Sequence, residues 1–286
     1  MTNPTVAVIA AGAMGAAVGA RLTQNGVTVL TSLAGRSHAS AERARAAGMM
    51  PVTDGEVVQA DFVLSIVPPG EALPLAQRLA SALQATNPKP VYVDCNAVSP
   101  ETVERIATVV TDTGCPFVDG GIIGGPPRAG YDGPKIYASG SAARRAETLG
   151  QFGLIIRPIE GPIGAASALK MSYGGLTKGL TALGSALVLA ASRVGVAETL
   201  HRELAASQPA LLAYLTRSVP EMFPKAYRFV AEMEEVASFV GGEAEHAMYE
   251  GIAELYERLA ADMTGAQAEI GPLAEFFGKN APPKAH

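Results

Sequence analysis

The 286-residue chain predicts an α/β domain followed by an all-helical one. Three observations carry that prediction. Short β-branched runs alternate with amphipathic helical patterns through the first half. A glycine-bearing turn separates the first such run from the first helix. Beyond about residue 163 the strand signal fades and helical periodicity takes over.

The strands are read from "TVAVIAA" (5–11), "VTVL" (27–30), "DFVLSIV" (61–67), "PVYVD" (90–94) and "CPFVD" (115–119). Each is a continuous apolar run closed by small, polar, Gly or Pro residues, as in a parallel sheet covered on both faces. Between them "AMGAAVGARLTQN", "EALPLAQRLASALQA" and "SPETVERIATVVTDT" repeat apolar residues at helical spacing. In the last of these Ser99 is placed to cap, Pro100 suits the first helical position, and Glu101 and Glu104 complement the dipole. With Thr102 at the third position no capping box forms.

The second half reads as helices over "AASALKMSYGGLTKGLTALGSALVLAASRVG", "ETLHRELAASQPALLAYLTRSV", "KAYRFVAEMEEVASFV" and "EAEHAMYEGIAELYERLAADM". Gly195, Pro209, Pro220, Pro224 and Gly241–Gly242 are expected to punctuate them. The expected division is 1–162 and 163–286, hinged near "EGPIG", the second part opening on a long interdomain helix. This second domain is expected to have little room for a core of its own. Its small-residue helix then suggests burial against a partner subunit, a homodimer through the C-terminal helices. The tail "GKNAPPKAH" is expected to fray.

Composition narrows the function. A net charge of −5 gives no reason to expect nucleic acid or an anionic membrane as partner. The N-terminus lacks a signal peptide's basic start and long apolar run. The most apolar stretch, "GLTALGSALVLAAS", falls short of the ~20 residues that span a bilayer. Cys95 and Cys115 have neither metal-ligand spacing nor a disulfide framework, so a reduced, cytoplasmic protein is expected. The four histidines are scattered, no metal site is expected, and no GxSxG elbow is present.

"VAVIAAGAMGAAVGARL" places Gly12, Ala13, Met14 and Gly15 between a strand and a helix. A dinucleotide-binding turn needs glycine for tightness and for close approach to pyrophosphate, and the helix start supplies amides. Ala10 stands where the first glycine of the usual pattern would be. The other reading, a tight structural turn, is weakened by the run of βαβ units that follows. The domain is therefore expected to be Rossmann-type. The end of the second strand carries Ser32, and no carboxylate follows until Glu42. An NAD site ordinarily offers an acid there. Arg36 followed by Ser37 suits a 2′-phosphate, so NADP(H) is the expected cofactor; otherwise Arg36 is a solvated loop charge. Pro68 and Asn96 fall at further strand ends, where a cofactor crevice would lie, though Pro68 also fits an ordinary turn.

"VIAAGAMG", "DCNAVSPET", "VDGGIIGGPP" and "GPIGAASALKMSYGG" resemble, in order and spacing, the motifs of the β-hydroxyacid dehydrogenase superfamily. That group includes 3-hydroxyisobutyrate and 6-phosphogluconate dehydrogenases and, more distantly, imine reductases. The C-terminal part is similar to a branch with a domain of unassigned function. The resemblance implies pyrophosphate at Gly12–Gly15, the nicotinamide carboxamide near Asn96, and substrate against Gly124 and Gly125. It also implies that Lys170 exchanges a proton with the oxygen on the carbon that exchanges hydride. Two positions depart from the family pattern. Ile123 replaces a serine that helps bind a carboxylate, and Gly174, beside Tyr173, replaces an asparagine. Both changes favour a larger or less polar substrate than a simple hydroxy acid.

Ser167, Lys170, Tyr173, Gly174 and Thr177 share one helix face by i, i+3 and i+4 steps, a polar stripe on an apolar helix. Lys178 is set to border it. A boundary lysine snorkelling to solvent is the other account of Lys170. Glu232, Glu234 and Glu235 read as a solvated face, with Arg228 pairing with Glu232. The expectation is an NADP-dependent oxidoreductase interconverting a carbonyl and a hydroxyl group. Its substrate site would comprise Ile123, Gly124, Gly125, Tyr173, Thr177 and Lys178. The alternatives are imine reduction and a cofactor-binding sensor without turnover.

Overall fold

The computed structural model describes residues 3–278, so most of the tail expected to fray lies outside the described residues. The chain divides into two compact units, 1–171 and 172–286. The division falls later than the expected boundary after residue 162.

The first unit holds β1 (Thr5–Ile9), α1 (Ala13–Gln24), β2 (Thr28–Ser32), α2 (His38–Ala46), β3 (Met50–Val52), α3 (Asp54–Val57), β4 (Phe62–Ser65), α4 (Pro69–Ala85), β5 (Val91–Asp94), α5 (Pro100–Thr111), β6 (Phe117–Ile123), β7 (Lys135–Ser139) and β8 (Ile155–Pro158). A 3-10 helix over Ala143–Phe152 joins the last two strands. The strands form one sheet in the order β3-β2-β1-β4-β5-β6-β7-β8. The six strands β1 to β6 run parallel. β7, which lies beyond the strands read from the sequence, reverses against β6.

The period of two explains why both faces are covered. On β1, Val6 and Val8 join Val18 and Leu22 of α1 in one core, while Ala7 and Ile9 join Leu75, Leu79 and Leu83 of α4 in the other. Ser99 caps α5 through the Thr102 amide, with Pro100 first in the helix, as expected. The polar helix α2 buries only Ala44, so it leaves little periodic signal in the sequence. β6 continues through "GGII", beyond the run read as far as Asp119.

The helix α6 (Ala165–Arg193) starts in the first unit and continues into the second. At 29 residues it is longer than the apolar run suggested, and by length and composition it could cross a membrane. One flank packs against the second unit. Tyr214 donates its hydroxyl to the Thr177 carbonyl at 2.8 Å and Tyr256 to that of Lys178 at 2.6 Å.

The second unit continues with α7 (Ala197–Ser207), α8 (Pro209–Met222), a 3-10 turn (Phe223–Lys225), α9 (Ala226–Val240), α10 (Glu243–Thr264) and α11 (Ile270–Gly278). Pro209 opens α8, but Pro220 lies inside it, contrary to its expected role as a break. Leu215, Val219, Met233, Val236, Tyr256, Leu259, Leu273 and Phe277 are buried, so this unit has a core of its own, against expectation. α11 was missed because it is short and carries glycine and proline. Asp262 fixes its start by accepting the amides of Ala268, Glu269 and Ile270.

Candidate active site

At the end of β1 the chain turns through Ala10, whose φ of +74° lies in the left-handed region. Gly12 then caps α1 with no side-chain partner for the helix amides, and nothing lies within 4 Å of where its Cβ would project. A Cβ on Gly15 would stand 2.0 Å from the Ala10 carbonyl oxygen, so the turn closes only with glycine there. Ala13 is exposed on the first turn of α1, while Met14 packs into the core. The result is an open cradle of helix amides where an anion is stabilised.

Beyond β2, Thr31 and Ser32 are buried, and their hydroxyls find no partner within the protein. Buried hydroxyls are ordinarily satisfied, and since consecutive strand residues face opposite sides of the sheet, a polar group supplied from outside could meet one of the two. Arg36 is half-buried, and Ser37 caps α2 by accepting the Ser40 amide at 3.3 Å. Sequence reading missed Arg43. Its Nε donates to the Ala11 carbonyl at 2.8 Å and its Nη2 to Ser40 Oγ at 3.0 Å, tying α2 to the glycine turn. The one available signal was a second arginine two helical turns after Arg36. These features together fit a dinucleotide.

Pro68 is the N-cap of α4, and Asn96, bonded to the neighbouring Val67, faces inward. Asn96 Oδ1 accepts the Val67 amide at 2.6 Å, while Nδ2 donates to Ser65 Oγ at 2.8 Å and Asp94 Oδ2 at 2.7 Å. At 3% exposure its side chain ties β4 to β5. Burial pushes the Asp94 carboxyl up to about 7, against the two hydrogen bonds from Asn96 and with a smaller push from Asp119. Burial also raises the Cys95 thiol well above the ordinary range, which makes it an unreactive sulfur.

β6 and the start of α6 complete the arrangement. Lys170 Nζ donates to the Ile122 carbonyl at 2.7 Å, two residues before Gly124. Lys170 is half-buried, with its ammonium on a backbone carbonyl. Ile123 is half-buried; Gly124 and Gly125 are exposed. Gly12–Gly15, Ser32, Arg36–Ser37, Pro68, Asn96, Ile123–Gly125 and Lys170 all belong to the first unit, and those up to Asn96 follow the carboxyl ends of its parallel strands.

The remaining candidates fall in the second unit. Tyr173 is half-exposed, and Thr177 donates back to the Tyr173 carbonyl at 2.8 Å. Lys178 pairs with Glu232 and lies 4.8 Å from the centroid of the Phe229 ring. Glu232 is thus not on a solvated face: its side chain is 15% exposed, and it pairs with Lys178. The expected polar stripe divides accordingly. Ser167, on the first turn of α6, is buried with its hydroxyl on Asp119, and Thr177 satisfies itself on its own helix.

Residues 5–153 match the model of the NAD binding domain of 6-phosphogluconate dehydrogenase, and residues 191–259 match a domain of unknown function. An uncharacterized 28.5 kDa protein of Methanothermus fervidus, from the 7S RNA 5′ region, is 30% identical over 217 residues, which is 75% of this chain and 82% of the relative. A solved conserved protein of unknown function, described as structurally similar to 3-hydroxyacid dehydrogenases, is 31% identical with a TM-score of 0.69, covering 90% of this chain and 97% of its own. The 3-hydroxyisobutyrate dehydrogenase of Mycobacterium tuberculosis, solved with L-serine, is 20% identical with a TM-score of 0.72, covering 98% of this chain and all of its own. That last likeness is one of fold.

Proposed function

The chain belongs to the β-hydroxyacid dehydrogenase superfamily, with the NAD binding domain of 6-phosphogluconate dehydrogenase and a C-terminal domain of unknown function, and from that premise we propose that it is an NADP(H)-dependent oxidoreductase interconverting a carbonyl and a hydroxyl group. The observation that carries the reading is Lys170, an ammonium held on the Ile122 carbonyl next to the Ile123–Gly125 segment.

Gly12 to Gly15 would hold the pyrophosphate on the α1 amides, and Ser32, Arg36 and Ser37 would meet the 2′-phosphate. Pro68 would border the nicotinamide, with Asn96 bracing that strand end from behind. A bound nicotinamide supplies or accepts the hydride. Lys170 Nζ holds the proton needed by the oxygen of a carbonyl under reduction, and it takes that proton back in the alcohol direction. The Ile122 carbonyl accepts one N–H and orients the ammonium. Ile123 gives the substrate segment an apolar side chain where a carboxylate-binding group would otherwise stand. This supports a substrate larger or less polar than a simple 3-hydroxy acid.

Two free, buried cysteines suit a reducing compartment such as the cytoplasm. A homodimer is supported by exposed leucines at heptad spacing on α6.

The test is a spectrophotometric panel of hydroxy acids, aryl ketones and imines with NADPH, NADP, NADH and NAD. Carbonyl reduction with NADPH is expected. K170A should bind NADPH as the wild type does and lose about 10²- to 10⁴-fold in turnover. Undiminished turnover in K170A would sink the role given to the lysine, and equal use of NADH would defeat the Arg36 argument. Tight NADPH binding with no turnover across the panel would favour a sensor.

A further inference from the structure

Asp119 was passed over in the sequence as the polar close of a strand. It is fully buried, beside Asp94 in the β5–β6 register, and makes no contact that the strand itself requires. Its Oδ2 accepts the amides of Gly164, Ala166 and Ser167 at 2.9, 3.0 and 3.1 Å and the Ser139 hydroxyl at 2.8 Å. Its Oδ1 accepts the Ser167 hydroxyl at 2.7 Å. The amides that open α6 are therefore satisfied by a carboxylate from a different element, with Ser139 Oγ accepting a share of the Ala166 amide.

The next positions of β6 continue the contact. A Cβ on Gly121 would stand 2.6 Å from the Ala166 carbonyl oxygen and 3.3 Å from Lys170 Cβ, so the helix rests directly on strand backbone there. Ile122 then offers its carbonyl to Lys170 Nζ. Ala166 and Ser167 precede Lys170 by four and three residues and so share its helix face. Asp119, Gly121 and Ile122 together fix the rotation and rise of α6 over the turn that carries the lysine.

We propose that Asp119 is a positioning residue for Lys170: its carboxylate anchors the start of α6 so that the ammonium one turn later is delivered to the Ile122 carbonyl. As a statement about catalysis this rests on the reading of Lys170 as the proton donor; as a statement about geometry it does not. Asparagine at 119 can keep an oxygen toward the three amides and turn its NH₂ toward Ser167 Oγ, which can accept. D119N should therefore preserve the anchor and lose only the charge, whereas D119A removes both.

The experiment uses the full chain, reductively dimethylated with isotope-labelled formaldehyde, which leaves each lysine charged and with one N–H. The Lys170 methyl resonance is identified by its absence in K170R, and NADPH affinity and thermal melting are recorded alongside. In D119A the Lys170 resonance should move to the position of the solvent-exposed lysines, while in D119N it stays near its wild-type position and NADPH affinity is unchanged in both. On any panel compound that is turned over, D119A should lose about 10- to 100-fold in turnover, and the D119A/K170A double variant should be no slower than K170A. D119S, which keeps one acceptor, replaces D119A if the latter does not melt cooperatively. An unmoved Lys170 resonance in the folded variant would overturn the proposal, as would an equal displacement in D119N. Undiminished turnover in K170A with a displaced resonance in D119A would retain the positioning and refute the catalytic role.

Discussion

Ala10 occupies a left-handed backbone conformation that glycine adopts freely and alanine does not. The strain is of the order of 1–2 kcal/mol, and glycine's greater freedom in the unfolded chain offsets part of the relief. A10G should therefore stabilise the chain by up to about 1 kcal/mol in a urea titration, without weakening NADPH binding. A destabilised A10G would show that the alanine methyl contributes packing that outweighs the strain. The sequence exposed Ala10 as a departure from the glycine pattern, because the pattern is local. It was silent about Asp119 and Arg43, because their partners, Gly164 to Ser167 and Ala11, are distant in sequence and identified only by distance in space.

On α6 the glycines differ in what surrounds them. A Cβ on Gly184 would meet three atoms of the Leu215 side chain, the nearest at 2.7 Å, whereas one on Gly174 would meet only Lys178 Nζ at 3.8 Å. Gly174 therefore stands in a helix interior with nothing in the second unit requiring it. G174A should raise stability by about 0.5–1 kcal/mol through helix propensity, and G184A should lower it by about 1–3 kcal/mol through overpacking. A loss of stability in G174A, read by chemical denaturation, would assign that glycine a contact not seen in the second unit. The long apolar periodicity of α6 was plain in the sequence. The termination of β6 was not, since "GGII" carries glycines that weaken a strand signal and are needed only because Ala166 and Asp94 backbone atoms press against them.

In the whole molecule, Leu176, Leu180, Leu183 and Leu187 repeat at four-, three- and four-residue steps on α6 and are 73, 39, 56 and 58% exposed. A heptad stripe of this kind suits the seam between two helices, and its exposure is large for an isolated chain. Sedimentation is expected to give a dimer for the wild type and a monomer for L183E/L187E, with the far-UV helix signal retained. A monomeric wild type would refute the assignment of this stripe to a second copy. The net charge of −5 leaves such an association unhindered by strong self-repulsion.

By itself the sequence determined the alternation of strand and helix, the glycine turn and the lysine on its helix, because each is written in neighbouring residues or in a short period. Only the tertiary structure decided what those parts touch. It reversed β7, assembled a second core where little room was expected and paired Lys178 with Glu232. It also showed that "VDGGII" is one working stretch of strand, with a carboxylate to anchor a helix, a glycine to admit it and a carbonyl to receive its lysine. Local spacing sets which elements form. The burial of a charge, the approach of a backbone and the choice of a partner depend on the three-dimensional neighbours that folding alone supplies.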